Sequence, residues 1–270
     1  MRTERTPTGL WLRPCNATTQ PPAMRLVCLP YAGGTAHAYS SWPTLLPADV
    51  GVYGLQYPGR QDRFAEPLVD DIGQLVGPIA TAMRQFIGEP LVLFGHSMGA
   101  FVAYEVTVEL ERRHGRVVDL LVVSGAPPPH RKAHGRPHEF SNAELIADVR
   151  RINQSFTDIL DEPALLDVLL PMIRADYRLS ETYVRRDPLP VHAGLVAVGG
   201  DHDPAVSRDE LEAWSAFAGT GFEALTLPGG HFYLFDDQAT LTRSLAARLP
   251  ERRPGRPLAN AAESGRERTR

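Results

Sequence analysis

The sequence predicts an α/β fold, in which a mostly parallel central sheet has helices on both faces and an inserted helical lid. Short apolar runs, typical of strands buried on both faces, alternate with segments of helical periodicity. The runs are 25–29, 50–55, 90–93, 117–124, 194–198 and 222–227. After residue 124 the alternation breaks, and the next strand begins only at residue 194, a gap longer than one crossover helix requires.

The helical segments between these strands have recognisable beginnings and ends. Residues 71–87 carry apolar side chains at helical spacing despite Pro78. A second helix follows the strand at 90–93 and is closed by Gly115. After residue 200, the spacing predicts helices over 211–217 and 238–249.

The domain organisation follows from composition along the chain. Residues 1–22 are rich in Thr, Pro and Arg, which predicts an extended N-terminal leader that Trp11 and Leu12 attach to the body. A single domain is expected over 23–249. Residues 250–270 contain almost no large apolar side chains and predict a disordered basic tail.

We expect residues 127–190 to form the lid, over the sheet edge where Ser97 lies. Ser141 and Glu144 have the spacing of a capping box, and Pro163 begins a second apolar helical run. A helical subdomain with no gating role is the alternative.

The overall composition excludes several classes of protein. In 270 residues the apolar content is 43%, which allows a sizeable core, and the net charge of −4 gives no reason to expect nucleic acid. Two cysteines are too few for a disulfide framework. The N-terminus lacks the apolar region of a signal peptide, and no run approaches transmembrane length. We expect a soluble cytoplasmic protein without membrane contact.

The segment Gly95-His96-Ser97-Met98-Gly99 lies between the strand at 90–93 and a helix. Strand, G-x-S-x-G and helix in this order predict a nucleophile elbow, a sharp turn that exposes a serine hydroxyl above the sheet edge. The two glycines keep Cβ atoms out of the bend. Ser97 is therefore the candidate nucleophile.

A serine nucleophile needs a base that is itself oriented by a carboxylate. His231 follows Gly229-Gly230 after the strand at 222–227, and is the candidate base. Asp201 and Asp203 both lie on the loop after 194–198. Pro204 restricts the backbone of Asp203, which favours Asp203 as the acid, with Asp201 as the alternative.

An oxyanion hole requires two backbone donors. The residue after the nucleophile, Met98, supplies one, and the loop Tyr31-Ala32-Gly33-Gly34 supplies the other, with Ala32 as the best candidate. Together these features predict a serine hydrolase with the α/β-hydrolase fold.

Other histidines fit no catalytic or metal site. His130, His134 and His138 recur every four residues, but Gly135 and Pro137 break a helix there, so exposed lid histidines are expected. We interpret His96 and His202 as packing or hydrogen-bonding residues.

Several segments together form a recognisable set of motifs: Leu29–Gly34, Gln56–Arg60, Gly95–Gly99, Asp176-Tyr177 with Glu181–Tyr183, and Gly230–Leu234. In these segments the sequence resembles the type II thioesterases of polyketide and nonribosomal peptide synthesis. The similarity extends from about Trp11 to about Leu249.

The resemblance implies a stand-alone hydrolase of acyl thioesters carried on the phosphopantetheine arm of acyl or peptidyl carrier proteins. By position, Ser97 would be the nucleophile, His231 the base and Asp203 its orienter, with the amides of Ala32 and Met98 as the oxyanion hole. No metal or dissociable cofactor is implied, and a monomer is expected. Lid residues such as Phe140, Phe156 and Leu166 would shape the acyl chamber.

Three alternatives remain open from the sequence. The chain could be a general carboxylesterase or lipase, or a cyclising thioesterase that releases a macrolactone. It could also be a non-catalytic α/β-hydrolase that acts as a docking module.

Overall fold

Seven strands form one twisted sheet in the computed structural model, which describes residues 7–16, 21–132, 135–152 and 160–251. The strands are β1 (Leu12–Pro14), β2 (Met24–Leu29), β3 (Val50–Leu55), β4 (Leu91–His96), β5 (Leu120–Ser124), β6 (Gly194–Gly200) and β7 (Phe222–Leu227). Their order is β1-β3-β2-β4-β5-β6-β7. β1 is antiparallel to β3 and every other neighbouring pair is parallel, as the fold prediction required.

The helices cover both faces of this sheet. They are α1 (Pro7–Trp11), α2 (Ile72–Met83), α3 (Met98–His114), α4 (Asn142–Ile152), α5 (Pro163–Thr182), α6 (Arg208–Glu212), α7 (Tyr233–Asp236) and α8 (Gln238–Ala246). Alternate residues of β4 enter different cores: Leu93 belongs to the cluster with α2 and α3, whereas Phe94 belongs to the cluster with Trp42 and α8. A strand buried on both faces must be apolar throughout, which explains the unbroken apolar runs in the sequence.

The strand order brings the loops that follow β2 and β4 to the same edge of the sheet. The chain passes from β2 to β3 on one side, and then returns to place β4 on the other side of β2. The loops that follow β2 and β4 therefore diverge and leave a crevice at the carboxyl ends of these strands, where open α/β sheets bind ligands. Ser97 follows β4 directly, and Ala32 lies in the loop that begins after Leu29, the last residue of β2.

The segment between β5 and β6 contains the two predicted lid helices, α4 and α5. The capping box that predicts the start of α4 is present: the Glu144 amide donates to Ser141 Oγ at 3.3 Å, and Glu144 Oε2 accepts from the Ser141 amide at 2.8 Å. α4 and α5 share a small apolar core around Leu145, Leu170 and Ile173.

The N-terminal segment differs from the extended leader predicted over 1–22. Its described part contains α1 and then β1, whose Leu12 aligns with Leu55 of β3. Three residues ending in Pro14 are too short for a recognisable strand pattern, and a proline is tolerated there because β1 is an edge strand. Residues 252–270, most of the predicted tail, lie outside the described residues.

Among the residues that the structure describes, the helices are either too short or too polar to cross a bilayer.

Leu93 and Leu165 offer a matched test of the core. Leu93 is fully buried at the centre of β4, whereas Leu165 is exposed on α5. Leu93→Ala removes buried apolar atoms and leaves a cavity, so we expect a loss of about 2–5 kcal/mol in the free energy of unfolding. Urea denaturation of both variants measures this, and Leu165→Ala should lose less than about 0.5 kcal/mol. Equal losses would contradict the assigned core.

Candidate active site

Ser97 occupies a strained turn between β4 and α3. Its backbone has φ 54° and ψ −118°, a conformation that non-glycine residues rarely adopt. A Cβ on Gly95 would lie 2.1 Å from the carbonyl oxygen of Gly99, and one on Gly99 would lie 2.1 Å from that of Leu29. Both glycines are therefore required by close backbone approach, as the elbow motif predicts. The Ser97 amide donates to the carbonyl of Ser124 at 2.7 Å, which ties the turn to the end of β5.

His231 and Asp203 form a buried pair next to this turn. His231 Nδ1 lies 2.8 Å from Asp203 Oδ2, and the Asp203 side chain is fully buried. The second carboxylate oxygen accepts the amide of Ala205 at 2.8 Å, which orients it. Asp201 instead accepts the amide of Gly229 at 2.9 Å and so stabilises the turn that precedes the histidine. Of the two candidate acids, the structure thus pairs Asp203 with His231.

The two predicted oxyanion donors lie at the start of α3 and in the loop after β2. Met98 is the first residue of α3, so its amide is at a helix N-terminus, where the partial charge is positive. Ala32 belongs to the loop after β2. The next amide, that of Gly33, is already bound at 2.7 Å by Asp176 Oδ2. This leaves Ala32 as the better candidate within the loop.

Ala32, Ser97 and His231 line a common cavity of about 310 Å³. Its wall is mostly apolar and includes Phe101 of α3, together with Val149, Ile152, Leu169 and Ile173 of the lid. The lid residues named from the sequence do not line it in the described part of the chain. Phe140 is partly exposed, Leu166 packs in the core between α4 and α5, and Phe156 lies outside the described residues.

A buried polar chain connects the strand ends around Ser97. His96 Nδ1 lies 2.8 Å from Ser124 Oγ, which in turn lies 2.7 Å from the hydroxyl of Tyr233. The His96 ring packs 5.0 Å from that of His231, centroid to centroid. Burial, and to a smaller extent the neighbouring His231, hold the pKa of His96 well below its usual range, which favours the neutral ring. His96 is thus both a packing and a hydrogen-bonding residue, as predicted.

Lys132 contributes a cation to the cavity wall. Its ammonium donates to the carbonyls of Ser180, Glu181 and Tyr183, at the C-terminal end of α5, where the helix dipole favours positive charge. It also lies 5.6 Å from the ring centre of Phe101. Burial lowers the pKa of Lys132 to about 8, and the Glu181 carboxylate opposes this shift.

Three other histidines differ from their predicted environments. His202 was predicted to pack or hydrogen-bond, but its side chain is 84% exposed. His130 and His138 were expected to be exposed, whereas His130 packs against Phe217 and His138 pairs with Glu181. His134 lies outside the described residues. Within the described ranges, no group of three or more His, Cys, Asp or Glu side chains could hold a metal ion.

Four residues that contact the site have no role predicted from the sequence: Ser124, Lys132, Arg60 and Asp176. Ser124 and Lys132 belong to no motif. Arg60 and Asp176 lie in segments that resemble the thioesterase family, and this resemblance is the one sequence feature that points to them. Their partnership joins positions 116 residues apart, so spacing alone could not reveal it.

Comparisons with known proteins agree with this geometry. The model of the "Thioesterase domain" family matches residues 24–249. Thioesterase PikA5 of Streptomyces venezuelae is 34% identical over 242 residues, which cover 89% of this chain and 86% of that protein. The structure of the type II thioesterase BorB from the borrelidin biosynthetic cluster has a TM-score of 0.82 and 36% identity, over 89% of this chain and 98% of that one.

The similarity also extends to a part of a much larger protein. The AMB antimetabolite synthetase AmbE of Pseudomonas aeruginosa is 36% identical over 255 residues, which are 94% of this chain but only 12% of AmbE. These matches confirm the resemblance and the fold class that the sequence predicted.

Substitution of the two aspartates separates their roles. Asp203 uses one oxygen for the Ala205 amide and the other for His231 Nδ1, whereas asparagine has a single oxygen. If that oxygen stays on the Ala205 amide, the NH2 group of Asp203→Asn faces Nδ1 and favours the wrong tautomer of His231, so we expect ester hydrolysis to fall by about 10⁴-fold. Asp201→Asn keeps an oxygen that can accept the Gly229 amide, so its rate should change by less than about 10-fold. Steady-state rates on an activated aryl ester measure both variants. A larger loss in Asp201→Asn would reverse the assignment.

Lys132 should make the stability of the fold depend on pH. Because its pKa of about 8 in the folded chain lies below the ordinary 10.5, the unfolded chain binds more protons between these two values. This group therefore stabilises the folded chain increasingly as pH rises through that window. Urea unfolding at pH 7 and pH 10 measures the free energy of unfolding of the native protein and of Lys132→Met. Relative to the variant, the native protein should be more stable at pH 10 than at pH 7. A pH-independent difference would contradict this.

Proposed function

The chain belongs to the thioesterase domain family, and on this premise we propose that it is a type II editing thioesterase of polyketide or nonribosomal peptide synthesis. It hydrolyses stalled or incorrect acyl groups from the phosphopantetheine arm of carrier proteins. The observation that carries the proposal is the buried Asp203–His231 pair at the wall of an apolar cavity that Ser97 also lines.

In the acylation step, Ser97 Oγ attacks the thioester carbonyl carbon and His231 takes the hydroxyl proton. Asp203 holds the Nδ1 side of the ring, so Nε2 is the nitrogen that serves the serine. Collapse of the tetrahedral intermediate breaks the carbon–sulfur bond, and the imidazolium returns the proton to the departing thiol. The products are an acyl-serine and the free phosphopantetheine thiol.

The developing oxyanion is stabilised by the amides of Ala32 and Met98. The Met98 amide is the first of α3, so the dipole of a 17-residue helix adds to its hydrogen bond. A thiol is a better leaving group than an amine, so this site needs less acid assistance than that of an amidase.

In the deacylation step, His231 acts again as the base. It takes a proton from water, whose oxygen attacks the acyl-serine, and then protonates Ser97 Oγ as the acid is released. Each step uses protein side chains and water alone, and we propose that no metal or dissociable cofactor takes part.

The cavity suits an acyl chain whose thioester reaches it on a long arm. Most of its wall is apolar and includes Phe101 of α3, Val149 of α4 and Ile173 of α5, so an aliphatic or aromatic acyl group loses contact with water on entry. PikA5 is named a thioesterase, and BorB a type II thioesterase of a biosynthetic cluster, which supports a thioester as the substrate. We propose that the partner is an acyl or peptidyl carrier protein and that the enzyme acts as a monomer.

Mass spectrometry of an acyl-loaded carrier protein tests this proposal. The native enzyme should convert the acyl form to the free thiol form, and Ser97→Ala should be slower by about 10³-fold or more because no acyl-serine can form. An aryl oxyester with the same acyl group, assayed in parallel, reports general esterase activity.

The outcomes separate the alternatives. If the carrier thioester survives while the aryl ester is cleaved, the chain is a general esterase and the proposed substrate is wrong. If neither is cleaved and a serine-directed phosphonate does not label Ser97, the chain is a docking module. A macrolactone released from a hydroxyacyl carrier would identify a cyclising enzyme.

A further inference from the structure

A buried ion pair joins the lid to the body beside the oxyanion loop. Arg60, in the loop after β3, and Asp176, in α5, meet in a two-point contact: Nη1 lies 2.8 Å from Oδ2, and Nη2 lies 2.7 Å from Oδ1. The side chains are only 4% and 2% exposed. Such planar pairing is the strongest geometry that a guanidinium and a carboxylate can adopt.

Both members of this pair also bind the loop that carries Ala32. Asp176 Oδ2 accepts the amide of Gly33 at 2.7 Å, and Arg60 Nη1 donates to the carbonyl of Gly34 at 3.0 Å. One turn earlier in α5, Ile173 packs on the same loop, since a Cβ on Gly33 would lie 3.2 Å from its Cγ1. The loop conformation is therefore set by the lid helix.

Stability alone does not explain this arrangement. Removing two charges from water is costly, and apolar replacements of buried ion pairs are often as stable as the pair. A contrasting pair lies two residues further along the same helix, where Arg178 meets Asp70 at 3.2 Å with side chains 58% and 41% exposed. It also joins α5 to the body, but it is exposed and does not include the oxyanion loop.

The charges themselves explain why both partners are present. The Asp176 carboxylate orients the Gly33 amide, but an uncompensated anion next to the oxyanion loop would oppose the negative charge of the transition state. Arg60 neutralises it while leaving one carboxylate oxygen able to accept the amide. The pair can thus orient the loop without placing net charge beside it.

We infer that Asp176 is a positioning residue for the oxyanion hole, so that hydrolysis requires the lid helix α5 to be docked on the body. This rests on the proposed function, because it assigns the Ala32 amide to the oxyanion. By binding the Gly33 amide, Asp176 fixes the peptide plane between Ala32 and Gly33, and this restricts the direction of the Ala32 amide, which lies in the neighbouring plane. When α5 leaves this position the loop loses its acceptor, and the enzyme is inactive.

Two double variants isolate the acceptor from the ion pair. Arg60→Met/Asp176→Asn removes both charges but keeps a side-chain oxygen for the Gly33 amide. Arg60→Met/Asp176→Leu removes both charges and the acceptor at similar volume. We expect kcat to fall by less than about 10-fold in the first and by about 10²–10³-fold in the second, with KM changed by less than about 3-fold in both. Arg178→Met, the control on the same helix, should keep the native kcat.

The rate at which a phosphonate labels Ser97 is a second measurement. This rate would not change if Asp176 only stabilised the fold. The phosphonyl oxygen occupies the oxyanion hole, so the labelling rate should fall in parallel with kcat in the Leu variant. Urea unfolding midpoints of the two double variants should agree. If the Leu variant has the same midpoint as the Asn variant and hydrolyses at the same rate, the inference is wrong.

A further double variant covers the case in which the Leu variant does not fold. Arg60→Met/Asp176→Ala removes both charges and the acceptor of the Gly33 amide without adding volume, so kcat should fall by about 10²–10³-fold with KM changed by less than about 3-fold. A folded Ala double variant with the kcat of the Asn double variant would overturn the inference. All variants are assayed on an aryl ester as well as on the carrier thioester. If the native enzyme does not hydrolyse the carrier thioester, the proposed substrate is wrong. The rates of the variants on the aryl ester then still test whether Asp176 positions the oxyanion hole.

Discussion

The rest of the site depends on the strained backbone of Ser97. A positive φ at a non-glycine residue costs free energy of order 1–3 kcal/mol and persists only where the surroundings impose it. Here the constraint is the close approach of β2, β4 and α3, which leaves space for no side chain at Gly95 or Gly99. The bond from the Ser97 amide to the Ser124 carbonyl fixes the turn from the β5 side. The strain is thus maintained by the sheet itself, and it holds the hydroxyl at the cavity wall.

The polar chain of His96, Ser124 and Tyr233 extends this constraint to the histidine turn. Each end of the chain is close in sequence to a candidate catalytic residue, since His96 precedes Ser97 and Tyr233 follows His231 by two positions. Hydrogen bonds in such a dry environment are electrostatically strong, so the chain couples two turns that come from distant parts of the sequence. The Nε2 atom of His96 is buried without a hydrogen-bond partner among the described residues, a cost that the surrounding fold has to offset.

Local sequence was sufficient for the parts of this site that depend on local geometry. The six predicted strands, the elbow and the turn before His231 all follow from apolar runs and glycine positions, and the structure contains each of them, although the strand predicted over 117–124 begins only at Leu120. Asp201 and Asp203 could not be separated securely in that way, because both lie on one loop and differ only in what the folded chain brings near them. The edge strand β1 was missed because its stability comes from pairing with β3 and not from its own three residues. The contacts of Lys132 and of the Arg60–Asp176 pair depend on the position of α5 against the rest of the fold. The periodicity of the sequence does not determine this position.

The charges around the candidate oxyanion hole are compensated in a way that suits a transient anion. Asp176 is paired with Arg60 while α5 is docked on the body. Asp203 is paired with His231, and in the proposed mechanism His231 takes the proton of Ser97 at the moment at which the oxyanion forms. The negative charge of the intermediate therefore develops beside paired groups and oriented amides. In the proposed mechanism this pairing leaves the backbone donors and the α3 dipole as the dominant field at the reacting carbonyl, because the nearby charged side chains are compensated by their own partners.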